Sequence, residues 1–101
     1  MIPPSLNIPD DALREFCAKH HIRTLKVFGS ALREDFTPES DIDLLAEFAP
    51  DEPLGLIRLG TIEAELSEIL GRRVDLNLPS LLSKYFRDEV LAVAETIYDA
   101  A

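Results

Sequence analysis

The run Asp41-Ile42-Asp43-Leu44 alternates acidic and apolar residues, and that alternation restricts what this part of the chain can become. Side chains two apart on an extended strand share a face. Asp41 and Asp43 therefore present their carboxylates together, while Ile42 and Leu44 point the other way, into a core. Two like charges held so close repel each other, and a divalent cation between them removes the penalty. Mg²⁺ suits such a pair, because it is usually held by one or two carboxylates together with substrate phosphates and water. A solitary Asp-x-Asp is more often a solvated outer face than a metal site. Here it belongs to an ordered unit: Gly29-Ser30 closes the apolar run from Leu25 to Phe28, a polar turn of Asp, Thr, Pro, Glu and Ser follows, and then comes the acidic alternation.

A further acid, Asp75 in Arg73-Val74-Asp75-Leu76, lies on what reads as a neighbouring strand. Three carboxylates form a cradle suited to two metals about 3.5–4 Å apart, which stabilise the attacking and leaving oxygens of an in-line displacement. Asp75 is the best general-base candidate of the three. Gly29 lacks a side chain and lets the backbone approach a phosphate. Ser30 adds a hydroxyl and an N–H at the start of the helix expected after it. Arg33, one turn on, can add a charged fork, with a solvated surface role as the alternative.

The spacing Gly29-Ser30, ten residues, Asp41-x-Asp43 resembles the signature of the DNA polymerase beta nucleotidyltransferase superfamily. The short chain is similar to its minimal nucleotidyltransferase (MNT) branch. The likeness runs over nearly the whole chain, from an N-terminal helix through the strands ending Val27-Phe28-Gly29-Ser30, Ser40-Asp41-Ile42-Asp43-Leu44-Leu45 and Val74-Asp75-Leu76 to a closing helix. It implies that Asp41, Asp43 and Asp75 bind catalytic Mg²⁺, two ions in all. It also implies that Gly29 and Ser30, with Arg33 and Ser40, bind the nucleotide, ATP. Many members of that branch are antitoxins that silence a small helical HEPN ribonuclease toxin by moving AMP from ATP to a toxin tyrosine. The resemblance thus implies a protein adenylyltransferase acting as the antitoxin of a type VII-like toxin–antitoxin pair. Two alternatives stand beside it: a non-catalytic antitoxin that blocks the toxin by binding, and nucleotidylation of a small-molecule hydroxyl. Many relatives read Gly-Ser-Arg-Ala-Arg-Gly where this chain has Gly29-Ser30-Ala31-Leu32-Arg33-Glu34, so Ala31 and Glu34 depart from the usual form.

With 101 residues the chain is expected to be one domain, 1–101, large enough for its own core. A second, acceptor-shaping domain does not fit, so a partner protein or a homodimer must supply that surface. Nineteen acidic residues against ten basic ones give a formal net charge of -9. That argues against a nucleic-acid acceptor, whose phosphates need neutralising, and favours a basic protein partner. No apolar stretch approaches 18 residues and the N-terminus lacks a charged leader region, so no membrane association and a cytoplasmic location are expected. Cys17 shares a helical face with Leu13, Phe16 and His20 and reads as a buried filler. His20 and His21, adjacent and unaccompanied by other ligands, read as structural.

The expected fold is α/β (α+β): a small mixed β-sheet flanked by helices, a nucleotidyltransferase fold like the polymerase beta palm. Pro9-Asp10-Asp11 starts a helix with acids at its positive end. Strands are predicted over residues 22–28, 41–48 and 73–78. A helix through Leu59, Ile62, Leu66 and Ile69 should stop at Gly71. After Pro79, the spacing of Leu82, Phe86, Val90, Val93 and Ile97 predicts one closing helix running to Ile97-Tyr98. Leu54, Leu56, Ile57, Leu81, Tyr85 and Leu91 exceed what one helical stripe needs, and together they offer a contact patch.

Overall fold

Asp10 and Asp11 favour the positive end of a helix dipole and Lys19 its negative end, and between them runs α1 (Asp10–Lys19), burying Leu13, Phe16 and Cys17. The computed structural model describes residues 8–32, 37 and 39–100. After a turn in which His21 takes a positive φ of 59°, β1 (Ile22–Phe28) leads into a single 3-10 turn over Gly29–Leu32, and β2 (Ile42–Phe48) returns beside it. α2 (Leu56–Leu70) then crosses over to β3 (Val74–Asn77), and α3 (Lys84–Val93) is followed by β4 (Glu95–Asp99). The sheet order is β3-β2-β1-β4. β1 runs antiparallel to both β2 and β4, and β2 runs parallel to β3, giving the expected mixed sheet.

α2 ends as the sequence indicates. Gly71 takes a left-handed conformation (φ 67°, ψ 22°) and its N–H bonds back to the Glu68 carbonyl, the usual way a glycine closes a helix. Among the residues expected to be surplus to the core, Leu56 and Ile57 at the start of α2 are 81% and 89% exposed, and Leu81, Tyr85 and Leu91 are exposed as well. Leu54, in contrast, packs against the core.

The closing helix is shorter than predicted. α3 stops at Val93, Ala94 is extended, and Ile97 and Tyr98 belong to β4, where Tyr98 pairs with Leu25 and Thr96 with Lys26. A β-branched and aromatic run, Thr96-Ile97-Tyr98, favours a pleated surface over a helix. β1 also has an edge whose backbone groups need partners, and β4 satisfies them while Ile97 and Tyr98 pack on the core.

The two sheet faces are covered differently. Leu25 and Val27 of β1, Ile42, Leu44 and Ala46 of β2, and Val74 and Leu76 of β3 join residues of α1 and α2 in the main core. A smaller cluster, Phe28, Leu45 and Val90, joins the opposite face to α3. Cys17 is fully buried in the main core, and burial pushes its thiol up to about 12 from 9.0. Because the folded pKa is the higher one, the buried thiol favours the fold below about pH 9, and that contribution is lost as pH rises from about 9 towards 12. Iodoacetamide at pH 8 is accordingly expected to leave Cys17 unmodified in the native chain and to alkylate it fully in denaturant. Rapid native labelling by mass spectrometry would contradict this burial.

Candidate active site

Asp43 lies on the α3 face of the sheet, the face opposite its neighbours Ile42 and Leu44 in the main core. Asp75 sits between Val74 and Leu76, which are likewise in the main core, so it emerges on that same α3 face. The register makes the two acids direct partners, Asp43 opposite Asp75, on strands that lie about 4.8 Å apart. On its other side Asp43 pairs with Phe28 at the end of β1. Asp43 is half-buried and Asp75 exposed. Asp41 precedes the first residue of β2, and its carboxylate lies 4.0 Å from the Arg73 guanidinium.

Gly29 explains how the centre of this arrangement is packed. It has a φ of +71°, and a Cβ placed on it would collide with the Asp43 carboxylate. The missing side chain is thus required twice, once by the backbone conformation and once by the acid seated against it. The expectation was that Gly29 clears space for a phosphate; the structure shows that the volume of its absent Cβ serves Asp43.

β3 is an edge strand, and its outward N–H groups are covered by α2. The Leu76 N–H donates to Glu63 Oε2 at 2.8 Å. The Val74 N–H donates to Ser67 Oγ at 3.0 Å, and that hydroxyl donates on to the Glu63 carbonyl. These bonds hold the residues on either side of Asp75. Glu63→Ala is expected to destabilise the fold by about 1–3 kcal/mol, the cost of leaving such a group unpaired, and to speed hydrogen exchange at the Leu76 amide. Unchanged exchange there would show that water replaces the carboxylate without loss.

The remaining candidates are placed less uniformly. The backbone of Ser30 lies in the 3-10 turn Gly29–Leu32, where a short helix is expected. Arg33 lies outside the described residues, as does Glu34. Ser40 closes the turn before Asp41: its Oγ accepts from the Thr37 N–H at 3.0 Å and lies 3.1 Å from the Thr37 hydroxyl. Ala31, which stands where many relatives have Arg, is 1% exposed and belongs to the main core, so the 3-10 turn directs that position inward. His20 bonds Glu65 of α2 at 3.2 Å and lies against Phe16 with ring centroids 4.6 Å apart, in keeping with a structural role.

Sequence reasoning missed five contributors. Arg73 was read only as a neighbour of Asp75, yet it faces Asp41. Glu63 and Ser67 lie between the apolar positions of α2, where no local signal marks them as clamps on a strand edge. Phe86 and Glu89 of α3 line a cleft that also touches Gly29 and Asp43; Phe86 had been assigned to a core stripe.

Among the described residues, no three His, Cys, Asp or Glu side chains converge as a ready metal cluster. Asp41 lies at the surface within 4.0 Å of Arg73, while the strand register pairs Asp43 with Asp75. Hard carboxylate oxygens from two facing strand positions are nevertheless the donor type that Mg²⁺ takes, with phosphates and water completing its shell. The donor chemistry therefore fits a cation that arrives with its substrate better than one held in a closed protein cage.

A mixed four-stranded sheet with acids paired across β2 and β3, beside a glycine turn, is the architecture of a nucleotide-transfer enzyme. Residues 10–97 match the model of the nucleotidyltransferase domain, and the chain belongs to that family, in its minimal, MNT branch. The protein adenylyltransferase MntA of Thermococcus cleftensis is 33% identical over 85 residues, covering 84% of this chain and 82% of that protein. A candidate protein adenylyltransferase of Methanocaldococcus jannaschii is 40% identical over 58 residues, so the match spans 57% of that relative's length. A solved candidate minimal nucleotidyltransferase superposes with a TM-score of 0.68 at 31% identity, covering 88% of this chain and 87% of that one. A chain from the complex of a tri-AMPylated Shewanella oneidensis HEPN toxin with its MNT antitoxin shares the fold, with a TM-score of 0.65 at 17% identity over 90% of this chain and 70% of that one. No described helix is long and apolar enough to cross a membrane.

Proposed function

We propose that this chain transfers AMP from ATP to a tyrosine hydroxyl of a HEPN ribonuclease toxin and so acts as its antitoxin in the cytoplasm. The observation that carries the reading is the direct pairing of Asp43 with Asp75 beside Gly29. The relative named as a protein adenylyltransferase and the fold shared with a complex that contains an AMPylated toxin support the acceptor class. The chain's match to some relatives covers little more than half their length, so the toxin acceptor rests on this proposal alone.

In this mechanism the acceptor oxygen forms a bond to the α-phosphorus, the bond from that phosphorus to the β-bridging oxygen breaks, and pyrophosphate leaves. Asp43 and Asp75 would hold divalent cation, with Asp41 joining when it turns from Arg73. Bound Mg²⁺ supplies charge neutralisation for the triphosphate and activation of the hydroxyl. Asp75, exposed at the sheet edge, accepts the hydroxyl proton. The backbone of Gly29 and Ser30 orients the phosphates beside Asp43. Most of the rate enhancement comes from positioning and charge stabilisation, as in other phosphoryl transfers.

The test is intact-mass spectrometry of a purified HEPN toxin after incubation with this chain, ATP and Mg²⁺, with an Asp41→Asn, Asp43→Asn double variant as control. A mass increase by whole AMP units, absent in the control, supports transfer. A stable complex without a mass increase moves the reading to an antitoxin that blocks by binding.

A further inference from the structure

Between α3 and the end of β1 lies a cleft of about 290 Å³ whose α3 wall has no part in the proposed transfer step. Phe28, Phe86 and Val90 make its apolar walls, Glu89 adds a carboxylate, and Asp43 and Gly29 are shared with the transfer site. We infer that this cleft is the nucleobase slot of the transfer site, with Phe86 as the stacking surface and Glu89 as the acceptor for an amino group on the base. The inference rests on the proposed nucleotidyl transfer and deepens it by assigning what reads the nucleotide.

Three observations lead there. The first is continuity: a cleft that touches Asp43 and Gly29 adjoins the place where the α-phosphorus must sit. The nucleoside is covalently tied to that atom, so its effective concentration in the cleft exceeds that of any free group. The second is chemistry. The apolar walls and the Glu89 carboxylate disfavour a phosphate, whose charge Glu89 repels, but they accept a planar ring that carries N–H donors, while Asp43 marks the boundary with the triphosphate. The third is the preparation of Phe86. Its ring meets Phe28 edge-on, with centroids 6.5 Å apart and planes at 74°, yet it remains 48% exposed. Its backbone N–H is tied to the Ser83 hydroxyl that caps α3. An aromatic ring held on one side by a T-shaped contact and half-exposed otherwise can serve as a stacking platform, and stacking a base on such a ring contributes roughly 1–3 kcal/mol, about 5- to 150-fold in affinity. Glu89 follows Phe86 by three positions on α3, so the two share a helix face.

The experiment is calorimetric titration of the whole chain, in Mg²⁺ and without acceptor, using ATP, inorganic tripolyphosphate and inosine triphosphate, whose base lacks the amino group. Wild type is expected to bind ATP at least about 10-fold more tightly than tripolyphosphate. Phe86→Ala should lose that advantage while binding tripolyphosphate as before, and Phe86→Tyr should retain it. Unchanged tripolyphosphate binding also shows that the variants are folded. Glu89→Ala should narrow the preference for ATP over inosine triphosphate. If wild type binds ATP and Phe86→Ala binds it equally well, the slot assignment is overturned while nucleotide transfer stands. The same holds if Phe86→Ala weakens only the binding of an acceptor protein. If wild type binds neither ATP nor tripolyphosphate, the proposed function fails and this assignment fails with it.

Discussion

Asp43→Asn is expected to lower AMP transfer by at least about 100-fold, the scale on which removing one preorganised electrostatic contact acts in an active site, while leaving the thermal midpoint unchanged or slightly raised. The two halves of this expectation have different causes. Asn keeps the shape of Asp and its place against Gly29, so packing between β1 and β2 is preserved. It removes the negative charge, and with it both the cation donor proposed for the half-buried centre of the site and the repulsion from Asp75 directly opposite. Activity by intact mass and stability by thermal unfolding are read on the same sample. Transfer at the wild-type rate would refute the assignment of Asp43 to a metal.

Gly29→Ala should damage both properties. The left-handed conformation alone costs a residue with a Cβ roughly 1–2 kcal/mol, and forcing a methyl group into the space held by the Asp43 carboxylate adds about 1–3 kcal/mol of overpacking. The carboxylate must move to relieve the collision, so transfer should fall by at least about 100-fold even in the fraction of chains that remain folded. A double-mutant cycle separates the two costs, because residues in contact are energetically coupled. In an Asp43→Ala background the collision with the carboxylate is gone and only the contact with the residue-43 Cβ at 3.3 Å remains, so Gly29→Ala should then cost little more than its backbone conformation. Equal costs in the two backgrounds would show that the close approach has no energetic weight.

Much of this was legible in the amino-acid order because it is local. The alternation of Asp41, Ile42, Asp43 and Leu44 carries its own period, and the structure gives β2 over Ile42–Phe48. Gly71 marks the end of α2 by its conformation alone. The limits are equally specific. Val93 and Ile97 are four apart and continue a helical stripe, so nothing local distinguishes a longer α3 from a new strand; the edge of β1, some seventy residues earlier, decides it. The face on which Asp75 emerges follows from strand periodicity, but its pairing with Asp43 depends on how β3 docks on β2. The Asp41 to Arg73 approach likewise joins residues far apart in sequence. Phe86 has the spacing of a core residue and becomes half-exposed only because α3 packs over one end of the sheet, against Phe28 and Leu45.

The clamp that α2 places on β3 bears on assembly. A sheet propagates from molecule to molecule only if each copy offers one edge to receive and another to donate. At β3, Glu63 and Ser67 already occupy the outward N–H groups, and β4 is the other terminal strand of the sheet order. Addition of chain to chain through the backbone is therefore disfavoured at β3, where α2 competes for those groups. Two copies meeting β4 against β4 would pair the two sheets about a two-fold axis and leave at each outer end a β3 edge already covered by α2.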